Sequence, residues 1–525
     1  MTTTTSTPSP SSAPSQRAPS PSTPSAGIDS VSAALESFAE LPDWLAALMQ
    51  PDRLQDSLRR HVPEIADGRL NLVSCRADQL RAKDDQWHAR CRVTVVDATV
   101  VDASVVDATV VAAVPREVVL VGLLHPPGRS DPDPLPSSRL PFGADGFELW
   151  LPDLRLHLAT EDADPGLPAL GDLTEADVAA RLIEEMLRDG LHPSAKVRSV
   201  TPSIARYKPG SRCTIVYAVD YEPGADDDLP NPIIAKTHQG DKGAFAHQAM
   251  TALWDTTLSE GRSVLIAEPL GYLPEERILL QGPVPEDRTL KELCVEAFET
   301  EDPELMDLLR VHLSETARAL AALHTSGAVY PRTVTVADWM AETREVLDRL
   351  GHTVPELPGW AEPLIATLEG LDASTPPDAL VSSHHDFRPA QVLLSDRGLA
   401  FIDFDGAAMA EAGLDIGRFS GKLRDIGVTA LASHSDGYRE DRLRDRLELL
   451  DAMCAEFLAE YRACGQVDPL RVELWEMIDL FMALLHTWTK VRLLRVRPRL
   501  AIVQHRLRGL GVPAAHNEAP ETASA

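Results

Sequence analysis

The stretch HHDFRPAQVLLSDRGLAFIDFD, residues 384–405, decides the reading of this chain. VLL and LAFI are two short apolar runs on either side of Ser395-Asp396-Arg397-Gly398, which has the composition of a tight hairpin turn. Gln391 stands just before the first run and Asp403 just after the second, about equally far from the turn. Antiparallel pairing therefore puts them side by side at the open end of the hairpin. Asp386 lies a few residues upstream and is expected nearby.

Phosphoryl transfer from ATP asks for such a group of side chains. It needs a carboxylate to orient the attacking hydroxyl and accept its proton, oxygen ligands for Mg²⁺, and a cation on the phosphates. Asp386 supplies the first, and Asp403 with the amide oxygen of Gln391 supplies the second. Taken singly these are ordinary turn residues; the spacing is what joins them. Asp405 reads either as a second metal ligand or as a cap. His384 and His385 are not read as a metal pair, because consecutive residues on an extended chain point apart.

Away from the hairpin, residues 1–26 are almost all Ser, Thr, Pro and Ala, and 513–525 are similar, so both are expected to be disordered tails. Residues 27–160 mix a helix-like LPDWLAALMQ with β-branched runs such as REVVLVGLLH, the pattern of a separate α+β unit. Inside it, VVDAT-VVDAS-VVDAT repeats with a period of five, read as a local duplication rather than a calcium site. From 165 to 285 a helix, opened by a Thr174/Asp177 capping box and closed by Gly190, precedes the strand runs SIARYK, RCTIVYAVDY and PIIAKT. From 286 to 512 the pattern is helical, with Asp302 and Pro303 starting one helix and strands returning only around 392–402. The fold class is α+β.

His384, Asp386 and Gln391 resemble the H-x-D-x-x-x-x-N loop of the aminoglycoside phosphotransferase and choline kinase family of the protein-kinase-like superfamily, in its bacterial form. Ile402-Asp403-Phe404-Asp405 resembles that family's metal-binding strand end, and Asp415 in Gly-Leu-Asp-Ile-Gly its loop-bracing aspartate. The resemblance covers roughly 165–510. It implies a bilobal protein-kinase-like fold, with a small antiparallel β lobe (165–285), a large helical lobe (286–512) and ATP between them; the additional N-terminal α+β domain lies outside the resemblance. It also implies that Lys236 contacts the phosphates, Lys242 being the alternative, and that His384 is structural. The turn around Gly210, Ser211 and Arg212 occupies the place of the phosphate-covering loop without being G-x-G-x-x-G. Residues Gln281 to Val284 would line the adenine. Where the family commonly pairs its lysine with a glutamate, the 245–254 helix offers His247 and Gln248, so the ion pair is either absent or supplied by Glu260. Gln391 departs from the family's Asn, leaving open a kinase fold that binds nucleotide or regulates without turnover.

With 50 basic and 80 acidic residues the formal charge is −30, which opposes generic binding to nucleic acid or anionic membrane and slightly favours cationic small molecules. The six cysteines form no zinc or C-x-x-C spacing, and no signal peptide or long apolar run is present, so a cytoplasmic protein with reduced thiols is expected. The expected reaction moves the γ-phosphoryl of Mg-ATP to a hydroxyl of a small molecule: a sugar, an amino alcohol or an aminoglycoside-like acceptor. Neither that acceptor nor the oligomeric state is legible in the sequence.

Overall fold

The computed structural model describes residues 42–83, 86–97, 115–127, 148–160, 167, 169–208, 211–224, 228–434 and 438–509. Both tails, Gly210 and the repeat beyond Asp97 lie outside these residues.

Strands β1 (Leu70–Lys83), β2 (Gln86–Asp97), β3 (Arg116–Leu124), β4 (Glu148–Leu151) and β5 (Leu156–Thr160) form an antiparallel sheet in the order β1-β2-β3-β5-β4. Alternate residues of β2, from Trp87 through Ala89, Cys91 and Val93 to Val95, are buried, as a sheet with one covered face requires. The helix Pro51–His61 packs on β1 with Leu54 and Leu58 inside. The sequence places the helix start in LPDWLAALMQ, but only Asp43–Ala47 is helical there. Trp87 Nε1 donates to Thr353 Oγ1 at 3.1 Å, tying this sheet to the helical part of the chain.

A second antiparallel sheet contains β6 (Val197–Lys208), β7 (Arg212–Tyr221) and β8 (Ile233–His238); β9 (Leu265–Ile266) leaves for another sheet, and β10 (Pro269–Leu273) and β11 (Ile278–Gln281) return to complete the order β10-β11-β8-β7-β6. Cys213, Ile215, Tyr217 and Val219 of β7 are buried, following the alternation read from the sequence. They share a core with Ala179, Ile183, Met186 and Leu187 of the helix Ala176–Asp189. The Thr174/Asp177 capping box does not form. Thr174 ends a preceding short helix, Leu170–Thr174, and its hydroxyl donates to the carbonyls of Leu170 and Gly171 at 3.1 and 2.9 Å. A Thr side chain engaged with the turn behind it cannot cap the helix ahead.

Beyond β12 (Arg288–Thr289) helices dominate. Asp302 caps Pro303–His324 as expected, its Oδ1 accepting from the N–H groups of Glu304 and Leu305 at 2.8 and 3.1 Å. The apolar stripe of that helix is narrower than its sequence suggests, since Leu308 is exposed. β13 (Leu380–Ser383) leads into the hairpin of β14 (Val392–Ser395) and β15 (Gly398–Phe401), and β16 (Ala408–Glu411) follows. The hairpin register pairs Val392 with Phe401 and Ser395 with Gly398 around the two-residue turn Asp396-Arg397. β13 and β16 pair with each other outside the expected strand region. Their sequences, LVSS and AMAE, have no strand signature and are held by tertiary pairing.

The helix Ala412–Thr429 is the element on which this region is built. It carries Gly413, Gly417 and Gly421 on one face, and there it lies against the helix Pro469–Thr489. A Cβ on Gly417 would stand 2.5 Å from the backbone nitrogen of Glu476 and 2.9 Å from the carbonyl oxygen of Val472. Backbone atoms cannot swing aside as a side chain does. Buried ion pairs fix the same packing. Arg424 donates to Glu476 at 2.6 Å, and Arg471 grips Glu411 at the end of β16 through two contacts of 2.5 and 2.6 Å. Gly417→Ala is therefore expected to lower stability by about 1–3 kcal/mol despite alanine's better helix propensity. Urea unfolding measures this, and an unchanged midpoint would show that the two helices do not approach so closely.

Candidate functional site

Asp415 is fully buried in the first turn of the Ala412–Thr429 helix and points at the chain leaving β13. Its Oδ2 accepts from the Ser383 hydroxyl (2.9 Å) and the His384 N–H (2.6 Å), and its Oδ1 from the His385 N–H (2.8 Å). On its other side His324 Nε2 donates at 3.0 Å, and His324 Nδ1 meets the Tyr461 hydroxyl at 2.8 Å. Burial alone would raise the Asp415 pKa, but the bonds from His324 and Ser383 outweigh it and hold it below the ordinary carboxylate range. The carboxylate thus stays charged and clamps the loop. His384 completes the clamp from within, donating from Nε2 to the Ile402 carbonyl at 2.9 Å and packing on Phe404. The loop carries left-handed backbone at His385 (φ 68°), and Asp403 after the hairpin does the same (φ 72°). Such conformations in non-glycine residues persist only where the surroundings impose them.

Gln391 and Asp403 do come together at the open end of the hairpin: Gln391 Nε2 donates to Asp403 Oδ2 at 3.0 Å. The second sheet adds its charges to the same point. Lys236 Nζ lies 2.9 Å from Asp403 Oδ1 and 3.2 Å from Asp405 Oδ1. Arg212 Nη1 is 3.4 Å from Asp405 and 3.8 Å from Asp403. Burial works against the Lys236 charge, yet Asp405 and Asp403 more than offset it and hold its pKa up; Asp405 is held well below the usual carboxylate range, against its own burial, by Lys236 and His238. Asp405 is therefore an ion-pair partner and caps nothing. The partner of Lys236 is this pair of aspartates rather than a glutamate of the following helix. His247 stacks on Tyr272 and Glu260 pairs with Arg262. Lys242 is the first residue of the Lys242–Trp254 helix, not part of a loop. The Ser211 carbonyl accepts from the Gln239 N–H at 2.9 Å, just past the end of β8.

His238 is absent from the sequence reading. It follows Lys236 on β8 by two residues, so the period of a strand turns both to one face, and its Nε2 meets Asp405 Oδ2 at 2.9 Å. Arg418 is another such residue. It follows Asp415 by one helical turn and holds Asp386 Oδ1 at 2.7 Å, while Arg388 holds Oδ2 at 3.1 Å. The spacing Asp415, Arg418, Lys422, Asp425 marks one charged face of a helix and was the available signal. Burial raises the Asp386 pKa, but Arg418 and Arg388 bring it below the ordinary aspartate value, so the group is ionised at neutral pH.

The donor set at the hairpin mouth consists of two carboxylates and an amide. Among the described residues no group of three or more His, Cys, Asp and Glu side chains is placed to hold a metal ion. That is compatible with Mg²⁺, which takes one or two protein carboxylates and completes its shell with water and phosphate oxygens. The Gln391 amide would have to turn over for its oxygen to share a cation with Asp403.

Residues 283–450 match the model of the phosphotransferase enzyme family. Among curated proteins a glucosamine kinase of Streptacidiphilus jiangxiensis is 31% identical over 216 residues, which is 37% of this chain and 48% of the relative, so the match spans about half of that relative's length. Among solved structures, a glucosamine kinase in complex with glucosamine, ADP and inorganic phosphate aligns over 83% of this chain and 93% of its own, at 18% identity and a TM-score of 0.42. A choline kinase from Streptococcus pneumoniae aligns over 63% of this chain and 99% of its own, at 14% identity and a TM-score of 0.38. Among the described residues no helix is long and apolar enough to cross a membrane.

His385 provides a pH test of the clamped loop. Burial, then the charges of Arg418 and Arg332, push its pKa down from 6.5 to about 4. Between those values the unfolded chain binds the proton and the folded chain does not, so stability rises with pH. From pH 6.5 down to 4 this group should remove up to about 3 kcal/mol. His486, lowered to about 3, adds to the slope. Urea unfolding across this range should show a shallower dependence in His385→Gln than in wild type; equal slopes would mean that His385 is not held neutral.

Proposed function

We propose, from the premise that residues 283–450 form a domain of the phosphotransferase enzyme family, that the chain is a small-molecule kinase moving the γ-phosphoryl of Mg-ATP to an alcohol. The observation that carries this reading is the convergence of Lys236, Arg212, Gln391, Asp403 and Asp405 from two sheets onto one point. The β6–β8, β10 and β11 sheet then serves as the small lobe (165–285) of a bilobal protein-kinase-like fold and the helices as the large lobe (286–512), with residues 27–160 as an additional domain.

Each side chain has a part that its position supports. Lys236 and Arg212 offer positive charge to the phosphates, exchanging their present carboxylate partners for phosphate oxygens. Asp403 and Gln391 are the metal-side donors. When bound, Mg²⁺ supplies charge neutralisation at the β- and γ-phosphates. Asp386 accepts a hydrogen bond from the acceptor hydroxyl and takes its proton as the new O–P bond forms, while the bond from the γ-phosphorus to its bridging oxygen breaks and ADP leaves. Arg418 and Arg388 make Asp386 a weak base. A weak base suffices, because a loose transition state asks for little deprotonation until late. His384 and Asp415 position the loop.

A second reading, nucleotide binding without turnover, is favoured by one contact. Gln391 presents its N–H group, not its oxygen, to Asp403. The two readings separate in one experiment. Melting temperature is recorded with ATP, with and without Mg²⁺, and ADP release is followed across pooled sugars, amino alcohols and aminoglycosides. The kinase reading expects stabilisation by nucleotide and an acceptor-dependent release that Asp386→Ala lowers by about 10²–10⁴ and Asp403→Ala abolishes. Nucleotide-dependent stabilisation with no ADP release from any pool would favour the second reading. Activity surviving both substitutions would overturn the site.

A further inference from the structure

We infer that the acceptor of this enzyme is an anion, a hydroxylated small molecule carrying a carboxylate or phosphate group, bound in the cavity beside Asp386 with Lys490 and Arg492 as its charge-recognising residues. This rests on the kinase reading above and names the class of its substrate.

A cavity of about 550 Å³ opens at Asp386, a size that suits a sugar or polyol. Its walls hold nine Lys and Arg side chains against four carboxylates, in a chain whose formal charge is −30. The carboxylates are already engaged. Asp386 is held by Arg418 and Arg388, Asp479 by Lys422 at 2.6 Å, and Asp425 by Arg499 and Arg495 at 2.9 and 3.1 Å. Glu299 accepts from the Ser433 hydroxyl at 3.0 Å. Positive charge therefore remains in excess.

The excess is divided in space. Arg206 feels Arg212 and Asp403 on one side and Arg388 and Asp386 on the other, and so stands between the Lys236 cluster and the cavity. Lys490 and Arg492 form another group, contributed by the end of the Pro469–Thr489 helix and the residues after it. A cation at a helix C-terminus is ordinary. Lys490 is less ordinary in its neighbours: its side chain reaches solvent, yet desolvation by the protein around it and then Arg492, Lys208, Arg499 and Lys422 lower its pKa from 10.5 to about 8. Arg492 and His486 are lowered as well, each by burial first and then by the surrounding cations, and Lys422 is lowered by burial and by Arg418 against the opposing pull of Asp479. Cations crowded until each disfavours its neighbour's charge form a site that an anion relieves and an ammonium group aggravates.

The test compares matched acceptors: glucose, glucuronate, glucose 6-phosphate and glucosamine, followed by a wider set of hydroxy acids and phosphomonoesters, each with its neutral parent and its amine. Binding to the full chain is measured by calorimetry with and without ADP, and turnover by ADP release. The expectation is that acidic members bind more tightly than their neutral parents and amines, and remain bound in the presence of ADP. Lys490→Ala/Arg492→Ala should weaken them roughly tenfold or more, chiefly in KM. Both residues are exposed at the rim, so the variant is expected to fold, and an unchanged melting temperature checks this. If no acid binds better than its neutral parent, if ADP displaces the acids, or if the double variant binds them unchanged, the inference is overturned. Turnover of glucosamine without preference for acids would overturn it while leaving the kinase reading intact. Tight binding of acids with no ADP release would overturn the kinase reading and, with it, the assignment of the acid as acceptor.

Discussion

One buried carboxylate organises this molecule. Asp415 has no exposure, keeps its charge, and spends it on a hydroxyl and two backbone N–H groups of the loop between β13 and the hairpin, with His324 on its far side. An ionised group without water is costly unless every lone pair finds a donor, so the loop and the helix cannot move independently. From this follow the placement of Asp386 and, through His384 and the Ile402 carbonyl, the link to the strand that ends at Asp403. The close glycine contact between the 412–429 and 469–489 helices then fixes where Asp415 itself can stand.

The hairpin was legible because two apolar runs around Ser-Asp-Arg-Gly admit one sensible register, and that register brings Gln391 to Asp403. The Asp302 cap and the alternation of β7 were legible for equally local reasons. Thr174 shows the opposite. Its pattern fits a cap, but an unannounced short helix claimed the side chain first. β13 and β16 have no local signal at all and exist because each completes the other. The partners of Lys236 were hidden for a related reason: they come from a different sheet, about 170 residues away, and proximity across such a separation leaves no mark on a single sequence.

Charge shows most plainly the gap between a total and an arrangement. The chain is strongly acidic, and from the sum a cationic ligand looks slightly favoured. The cavity beside Asp386 is rich in arginine and lysine. Within a Debye length of about 10 Å the nearest groups decide the potential, and a surplus of aspartate and glutamate elsewhere on the surface is screened from the cavity. The fold sorts the charges, and the sorting carries the chemistry.

The charged face of the Ala412–Thr429 helix has a consequence for how such a protein can diverge. Asp415 sets the loop, Arg418 holds Asp386, and Lys422 and Asp425 line the cavity, each about one turn after the last. The geometry of the loop and the charge of the cavity are thus set along one rigid rod, in order. Substitutions in its later turns change the lining of the cavity and leave the contacts that fix the loop in place. A lineage descending from this scaffold could remodel that cavity by a few changes in the second half of a single helix, the loop being inherited unaltered.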